Sequence, residues 1–151
     1  MIRKISKSFA QLTTTELYQI LKLRVDIFVV EQECAYPELD NLDMNVDTRH
    51  IMFYEGEELI AYARCLAPKV VFDTNPAIGR VLVSQKGRGR GLAQELMFES
   101  IRESESFWPN KNIKLSAQTY LLDFYKNLGF SPIGEAYLED GIEHQDMFKD
   151  G

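Results

Sequence analysis

Residues 78–97, which read IGRVLVSQKGRGRGLAQELM, constrain the fold more than any other stretch of the chain. Residues 78–83 form a short apolar run rich in β-branched side chains, which predicts a strand. From Leu92 onward, apolar residues recur at helical spacing, which predicts a helix from about Gly89 to the neighbourhood of Ser104. Three glycines in alternate positions separate the two, so the stretch predicts a strand, a tight loop and a helix.

The loop between this strand and helix has the properties of a phosphate-binding site. The first backbone N–H groups of a helix lack partners inside it and carry the positive end of its dipole, and glycines allow an anion to approach them. A P-loop would need Lys and then Ser or Thr where Leu92 and Ala93 stand. A dinucleotide-binding loop beginning at Gly89 would need a small residue at Gln94. An exposed basic turn and an arginine–glycine nucleic-acid segment are the alternatives.

Length and charge limit the class of protein. The 151 residues predict one domain spanning 1–151, with a core of its own. A net charge of -6 argues against nucleic acid as the main partner, whereas Lys86, Arg88 and Arg90 concentrate positive charge locally and favour a small polyanionic ligand. No apolar run reaches membrane-spanning length and the first ten residues lack the apolar core of a signal peptide, so we expect a cytoplasmic protein.

The two cysteines, Cys34 and Cys65, do not form a metal-binding spacing. We expect both to be reduced and partly buried, and we expect no metal. A catalytic cysteine acting with His50 or His144 is the less favoured alternative, since neither cysteine lies in a supporting motif.

The order of predicted elements indicates an α+β fold, an α/β sandwich with a mixed sheet. Thr13 and Glu16 form a capping-box pattern that predicts the start of the first helix. The predicted strands lie at residues 2–6, 50–54, 59–66, 78–83, 113–117, 131–137 and 142–149, and further helices lie at 89–104 and 120–128.

Charged residues in the first fifty positions leave two questions open. Arg24 falls in the apolar stripe of the first helix, so we expect it to contact a cleft or a buried carboxylate, and the alternative is a side chain that reaches past its neighbours to solvent. The acidic residues that follow are expected to form a solvated loop, and the alternative is a collar that attracts a cationic amine. They are Glu38, Asp40, Asp43 and Asp47.

Two motifs resemble those of one superfamily. The pattern Arg88-x-x-Gly91-x-Ala93 resembles the pyrophosphate loop of the GNAT superfamily of acyl-CoA N-acyltransferases, and the preceding strand resembles its central strand. Residues 123–130, DFYKNLGF, are similar to its Phe-Tyr-x-x-x-Gly-Phe segment. The order of elements agrees as well, so the resemblance covers nearly the whole chain.

Within that superfamily the chain resembles the ElaA-like proteins. The residues that carry this likeness are Arg24, 28–32 (FVVEQ), 34–37 (CAYP), Asp40, Asp43, 61–64 (AYAR), 78–81 (IGRV), 116–118 (SAQ), 139–142 (EDGI) and His144. One departure is Tyr120, which stands where the resemblance predicts a histidine.

The resemblance implies a mixed, mostly antiparallel sheet flanked by helices and an N-acetyltransferase reaction. A primary amine of a small molecule or a protein would attack the thioester of acetyl-CoA directly in a ternary complex. A non-catalytic acyl-CoA-binding module of the same shape is the alternative. The oligomeric state stays open between a monomer and a homodimer.

The resemblance also implies roles for particular residues. Tyr125 would protonate the departing thiolate without a large pKa shift, because a phenol and an alkyl thiol have comparable acidities, and its alternative role is that of a core aromatic. Glu31 and His144 are the candidate bases. The alternatives are that Glu31 neutralises Arg24, that His144 has only a structural role, and that a weakly basic amine loses its proton to solvent before it binds. The expected coenzyme A contacts are Val81, Leu82, Val83, Gln85, Lys86, Gly87, Arg88, Gly89, Arg90, Gly91, Leu92, Ala93, Gln118 and Tyr125, with oxyanion donors near Leu82 and Val83, and the expected substrate contacts are Arg24, Glu31 and Gln32.

Overall fold

A computed structural model describes residues 1–150, and it confirms the predicted α/β sandwich. Seven strands form one mixed sheet in the order β1-β2-β3-β4-β5-β7-β6. They are β1 (Ile2–Lys7), β2 (Arg49–Glu55), β3 (Glu58–Leu66), β4 (Ala77–Val83), β5 (Ile113–Gln118), β6 (Ser131–Glu139) and β7 (Ile142–Lys149). Each of the seven predicted strands is present.

The sheet opens between its two central strands. All neighbouring strands are antiparallel except β4 and β5, which run parallel. These two are paired at one position, Ala77 with Lys114, and then diverge. The backbone of β4 beyond Ala77 therefore lacks a β5 partner, and a cleft begins there.

The first helix begins where the sequence predicts. Helix α1 (Thr14–Arg24) is capped by Thr13, whose side chain accepts a hydrogen bond from the Glu16 N–H at 3.1 Å, while the Glu16 carboxylate accepts one from the Thr13 N–H at 2.9 Å. The helix then continues as a π-helix, Val25–Glu31, which was not predicted. Such wide turns occur frequently at functional sites.

The other helices are α2 (Leu92–Phe107) and α3 (Leu122–Lys126). Helix α2 begins three residues later than predicted because Gly89 and Gly91 have φ angles of 77° and 73°, which a right-handed helix does not accept. Helix α3 is shorter than predicted because residues 119–121 form a 3₁₀ turn. Within residues 1–150, no helix combines the length and the apolar character needed to cross a membrane.

Two apolar cores lie on opposite faces of the sheet. Alternate residues of β2 point to opposite faces, so Ile51 and Phe53 pack with α2 while Met52 and Tyr54 pack with Ile20 of α1. Both cysteines are free, and Cys65 is buried while Cys34 is half-buried, as expected.

Candidate active site

The divergence of β4 and β5 produces an open cleft of about 940 Å³. Its walls come from the π-helix and the residues after it, from β4 and β5, from α3 and from the turn between β6 and β7. Ten residues expected at the site line this cleft: Glu31, Gln32, Val81, Leu82, Val83, Arg88, Ala93, Gln118, Tyr125 and His144.

The glycine loop has the geometry that an anion requires. Gly87 lies so close to its neighbours that an added Cβ would be 2.8 Å from Val83 Cγ1 and 3.3 Å from the Ile60 carbonyl oxygen, so only glycine fits. Gly91 is the N-cap of α2 and has a left-handed backbone, and no side chain caps the helix. The first N–H groups of α2 are therefore free to bind a phosphate group.

Of the three cations in this loop, the structure brings one to the cleft. Arg88 lines the cleft and makes two parallel hydrogen bonds to the Glu31 carboxylate, at 2.7 and 2.9 Å. Lys86 and Arg90 instead pair with carboxylates of the β2–β3 hairpin, at 3.0 Å and 2.6 Å, and lie outside the cleft lining. Glu31 thus pairs with Arg88 and not with Arg24, so that alternative is wrong.

Tyr125 lies at the cleft end of α3. Its ring makes edge-to-face contacts with Phe124 and Phe130, at centroid distances of 5.1 and 6.1 Å. Burial raises the pKa of Tyr125 to about 12, because the phenolate would lose its hydration. The hydroxyl therefore keeps its proton at neutral pH.

His144, on β7, lines the cleft. Its Nδ1 is 2.7 Å from the carbonyl oxygen of Ile142, which can only accept, so Nδ1 carries the proton of the neutral ring. Nε2 is then the basic nitrogen, and it lies 3.6 Å from a carboxylate oxygen of Glu139. This arrangement suits a group that takes up a proton in the cleft.

Behind the cleft lies a buried ionic network. Arg24 is fully buried and donates to the carboxylates of Glu38 and Asp43 at 2.7 and 2.6 Å. The expected contact with a buried carboxylate is therefore confirmed, and the alternative, a side chain that reaches solvent, is wrong. Arg24 does not line the cleft. With no exposed surface it has none to offer a substrate, and its role in this structure is to hold the two acidic side chains.

Three members of the acidic stretch form neither a solvated loop nor a collar, because Glu38, Asp40 and Asp43 are paired with arginines. The fourth, Asp47, is exposed, as a solvated loop predicts. Asp40 and Asp43 both accept from Arg64, at 2.9 and 3.1 Å, and Glu38 accepts from Arg80 at 2.6 Å. Burial raises the pKa of Asp40, but the hydrogen bond to Arg64 and the charges of Arg64 and Arg80 together outweigh that effect and lower the pKa to about 2. Three arginines thus face three carboxylates, which leaves no net charge.

A buried histidine, His50, contacts the backbone of this network. His50 has no exposed surface, its Nδ1 lies 2.6 Å from the Tyr62 hydroxyl, and its Nε2 lies 3.1 Å from the Asp43 carbonyl oxygen. That carbonyl can only accept, so the neutral ring carries its proton on Nε2 and accepts at Nδ1. Burial lowers the pKa of His50, which keeps the ring neutral.

Sequence reasoning assigned no role to Arg64 and Arg80, which both line the cleft. Arg80 has a φ of 50° within β4, and the pairing of β3 with β4 shifts register at this point. A bulge of this kind turns a strand and redirects its side chains. No local signal in the sequence pairs these arginines with their carboxylates, because Glu38 lies 42 residues from Arg80 and Asp40 lies 24 residues from Arg64.

Comparisons with known proteins agree with this geometry. Residues 25–150 match the family model of the acetyltransferase (GNAT) domain. The chain is 42% identical to the protein ElaA of Escherichia coli K12 over 142 residues, which are 93% of this chain and 92% of that protein.

Two crystal structures share the fold closely. An acyl-CoA N-acyltransferase from Pseudomonas aeruginosa gives a TM-score of 0.94 at 41% identity and covers 99% of both chains. The structure of Escherichia coli ElaA gives a TM-score of 0.93 at 39% identity, over 99% of this chain and all of that one. The chain therefore belongs to the GNAT family of acyltransferases and, within it, to the ElaA-like proteins.

Proposed function

We propose that this protein is an acyl-CoA-dependent N-acyltransferase that transfers an acetyl group from acetyl-CoA to a primary amine. The observation that carries the proposal is an uncapped helix N-terminus, preceded by a glycine loop, at one end of a cleft that also holds Tyr125 and His144. The Pseudomonas relative, named as an acyl-CoA N-acyltransferase, supports the same chemistry.

The donor would bind along the opening between β4 and β5. Its pyrophosphate would accept hydrogen bonds from backbone N–H groups of residues 85–93 and from Arg88, which is the cation of the glycine loop that lines the cleft. Its pantetheine arm would follow β4, with Gln118 at the end of β5 supplying an amide. The thioester would then lie near Tyr125.

The reaction needs a free amine, a site for the developing oxyanion and a proton for the leaving sulfur. The acceptor ammonium would lose a proton to His144 Nε2, and the amine lone pair would form the new C–N bond. Backbone N–H groups near Leu82 and Val83, where β4 lacks a β5 partner, would stabilise the oxyanion. The C–S bond would then break, and Tyr125 would donate its proton to the thiolate. The second proton of the acceptor nitrogen would pass through solvent to the Tyr125 phenolate, which restores the acid.

We favour His144 over Glu31 as the base. His144 is nine-tenths buried with Nε2 as its basic nitrogen, whereas both Glu31 oxygens accept from Arg88. The Arg88 hydrogen bonds lower the pKa of Glu31, which makes that carboxylate a weaker base while the pair lasts. Exposed carboxylates at the β6–β7 turn, Glu139 and Asp140, favour a cationic acceptor at that end of the cleft.

The test separates this function from an acyl-CoA-binding module without turnover. Release of free thiol from acetyl-CoA is followed for wild type and for Tyr125→Phe with a panel of primary amines, and coenzyme A affinity is measured by calorimetry. We expect Tyr125→Phe to lower kcat about 100-fold with coenzyme A affinity preserved. Equal losses of turnover and affinity would remove the acid role. Binding of acetyl-CoA without thiol release for every amine would favour the binding module.

A further inference from the structure

Two adjacent residues of the chain, Glu31 and Gln32, reach across the cleft. Glu31 ends the π-helix and accepts two hydrogen bonds from Arg88, on the opposite wall. Gln32 exchanges amide hydrogen bonds with Gln118 at the end of β5, at 3.2 and 3.4 Å. One short segment is thus fastened to the far side of the cleft at two points.

Both points of attachment are groups that the donor needs under the proposed function. Arg88 is the cation of the glycine loop that lines the cleft, and Gln118 is the amide expected beside the pantetheine arm. The Glu31 carboxylate meets the guanidinium with the same parallel geometry by which arginine binds a phosphate. The two side chains therefore occupy, from within the protein, two of the positions that acyl-CoA would use.

The end of the segment that carries them is the part suited to move. Ile27 and Phe28 pack against the core on the α1 side of the sheet, whereas Val30 and Glu31 are exposed, so the last residues of the π-helix have fewer apolar contacts than its start. Both members of the Arg88–Glu31 pair are also partly exposed, with 43% and 37% of their side-chain surface accessible. Exposed pairs of this kind contribute little to stability, so a ligand can displace them.

We propose that Glu31 and Gln32 form an internal competitor for acyl-CoA, which donor binding displaces from Arg88 and Gln118, releasing these two side chains toward the acceptor end of the cleft. This inference rests on the proposed function for the identity of the donor. It makes Glu31 and Gln32 positioning residues that set donor affinity. It also orders the reaction, because the acceptor end of the cleft takes its final form only after the donor has bound.

The displacement also changes the chemistry of Glu31. While Arg88 is its partner, the hydrogen bonds lower the pKa of Glu31 and make it a poor base. Once the donor's pyrophosphate takes its place on Arg88, the carboxylate regains its ordinary basicity and faces the cleft that receives the ammonium group. Donor binding thereby brings a second carboxylate to the acceptor only when a coenzyme A ligand occupies the cleft.

The experiment compares variants that remove each contact from the segment's side. Calorimetry measures the affinity of coenzyme A, which meets both attachment points, and of S-acetylpantetheine, which lacks the pyrophosphate. The variants are Glu31→Gln and Gln32→Ala, and the matched control is Glu55→Gln. Glu55 makes a similar exposed pair with Arg90, at 2.6 Å, but neither residue lines the cleft.

We expect Glu31→Gln to bind coenzyme A about two- to fivefold more tightly than wild type, as loss of an exposed competing pair allows, with no change for S-acetylpantetheine. Gln32→Ala should bind both ligands more tightly, and Glu55→Gln should match wild type. A fold defect would weaken binding, so tighter binding is specific to the competitor. Unchanged or weaker coenzyme A binding by Glu31→Gln overturns the inference, whereas a wild-type protein that fails to bind coenzyme A overturns the proposed function itself.

Discussion

Removal of the Arg24 side chain tests how the buried ionic network stabilises the fold. Arg24→Met keeps much of the length and removes three donated hydrogen bonds, at 2.7 and 2.6 Å to carboxylates and at 3.2 Å to the Glu38 carbonyl oxygen. Breaking a buried ion pair from one side costs about 3–5 kcal/mol. Glu38 keeps Arg80 and Asp43 keeps Arg64, so we expect the lower end, about 3 kcal/mol.

Urea and thermal unfolding measure this loss directly. For a chain of this length, each kcal/mol lowers Tm by about 2–4 °C, so Arg24→Met should melt about 10 °C below wild type. Lys22→Met is the control, because its pair with Asp26 is exposed at 2.6 Å and its loss should leave the unfolding midpoint unchanged. The double variant with Asp43→Asn should lose less than the sum of the single variants. A midpoint for Arg24→Met equal to that of the control would refute the network's role.

Three further predictions concern other parts of the fold. Gly87→Ala should lower the urea midpoint, because a Cβ at this position collides with its neighbours. Gly79→Ala should leave the midpoint unchanged, because a Cβ there meets open space, and equal midpoints for the two variants would contradict this. Burial lowers the pKa of His50, so the unfolded chain binds a proton at this ring more readily than the folded protein does. The free energy of unfolding should therefore be constant above about pH 6.5 and should decrease below it, by up to about 1.4 kcal/mol per pH unit. Urea midpoints at pH 7.5 and 5.5 measure this decrease. If a His50→Gln variant lost as much stability at pH 5.5 as wild type does, the loss would not be due to His50. A thiol reagent should modify Cys34 alone in the native protein and also Cys65 after denaturation, since burial raises the pKa of Cys65 to about 12; rapid native modification of both would count against the described burial.

Local signals in the sequence were sufficient for most of the elements and for the phosphate loop. Apolar periodicity, the Thr13 capping box and the glycines each act within a few residues, so they can be interpreted without knowing the fold. The partners of Arg24 and Arg80 could not be found this way, because Asp43 lies 19 residues from Arg24 and Glu38 lies 42 residues from Arg80. Which carboxylate meets which arginine is decided only when the sheet has formed.

The contacts within the candidate active site also join residues far apart in the chain, so local patterns could not predict them. Tyr125 and His144 were recognised through motifs, yet the direction of the Tyr125 pKa shift depends on burial by Phe124 and Phe130, which packing decides. The π-helix after Arg24 has no simple periodicity. The contacts of Glu31 and Gln32 with the opposite cleft wall join residues that are separated along the chain by 57 and 86 positions, respectively. Contacts of that range depend on the tertiary fold, so sequence patterns predict the residues of a site better than their pairing.

Donor binding is the most direct test of the central claim that the cleft receives acyl-CoA. The purified protein is heated with acetyl-CoA, coenzyme A, ATP or NAD in parallel, because a ligand that binds the native state raises Tm by mass action. We predict a rise with acetyl-CoA and coenzyme A and none with ATP or NAD. The absence of any rise with both coenzyme A species, at concentrations well above about 1 μM, would mean that the glycine loop is structural and would contradict the proposed transferase function.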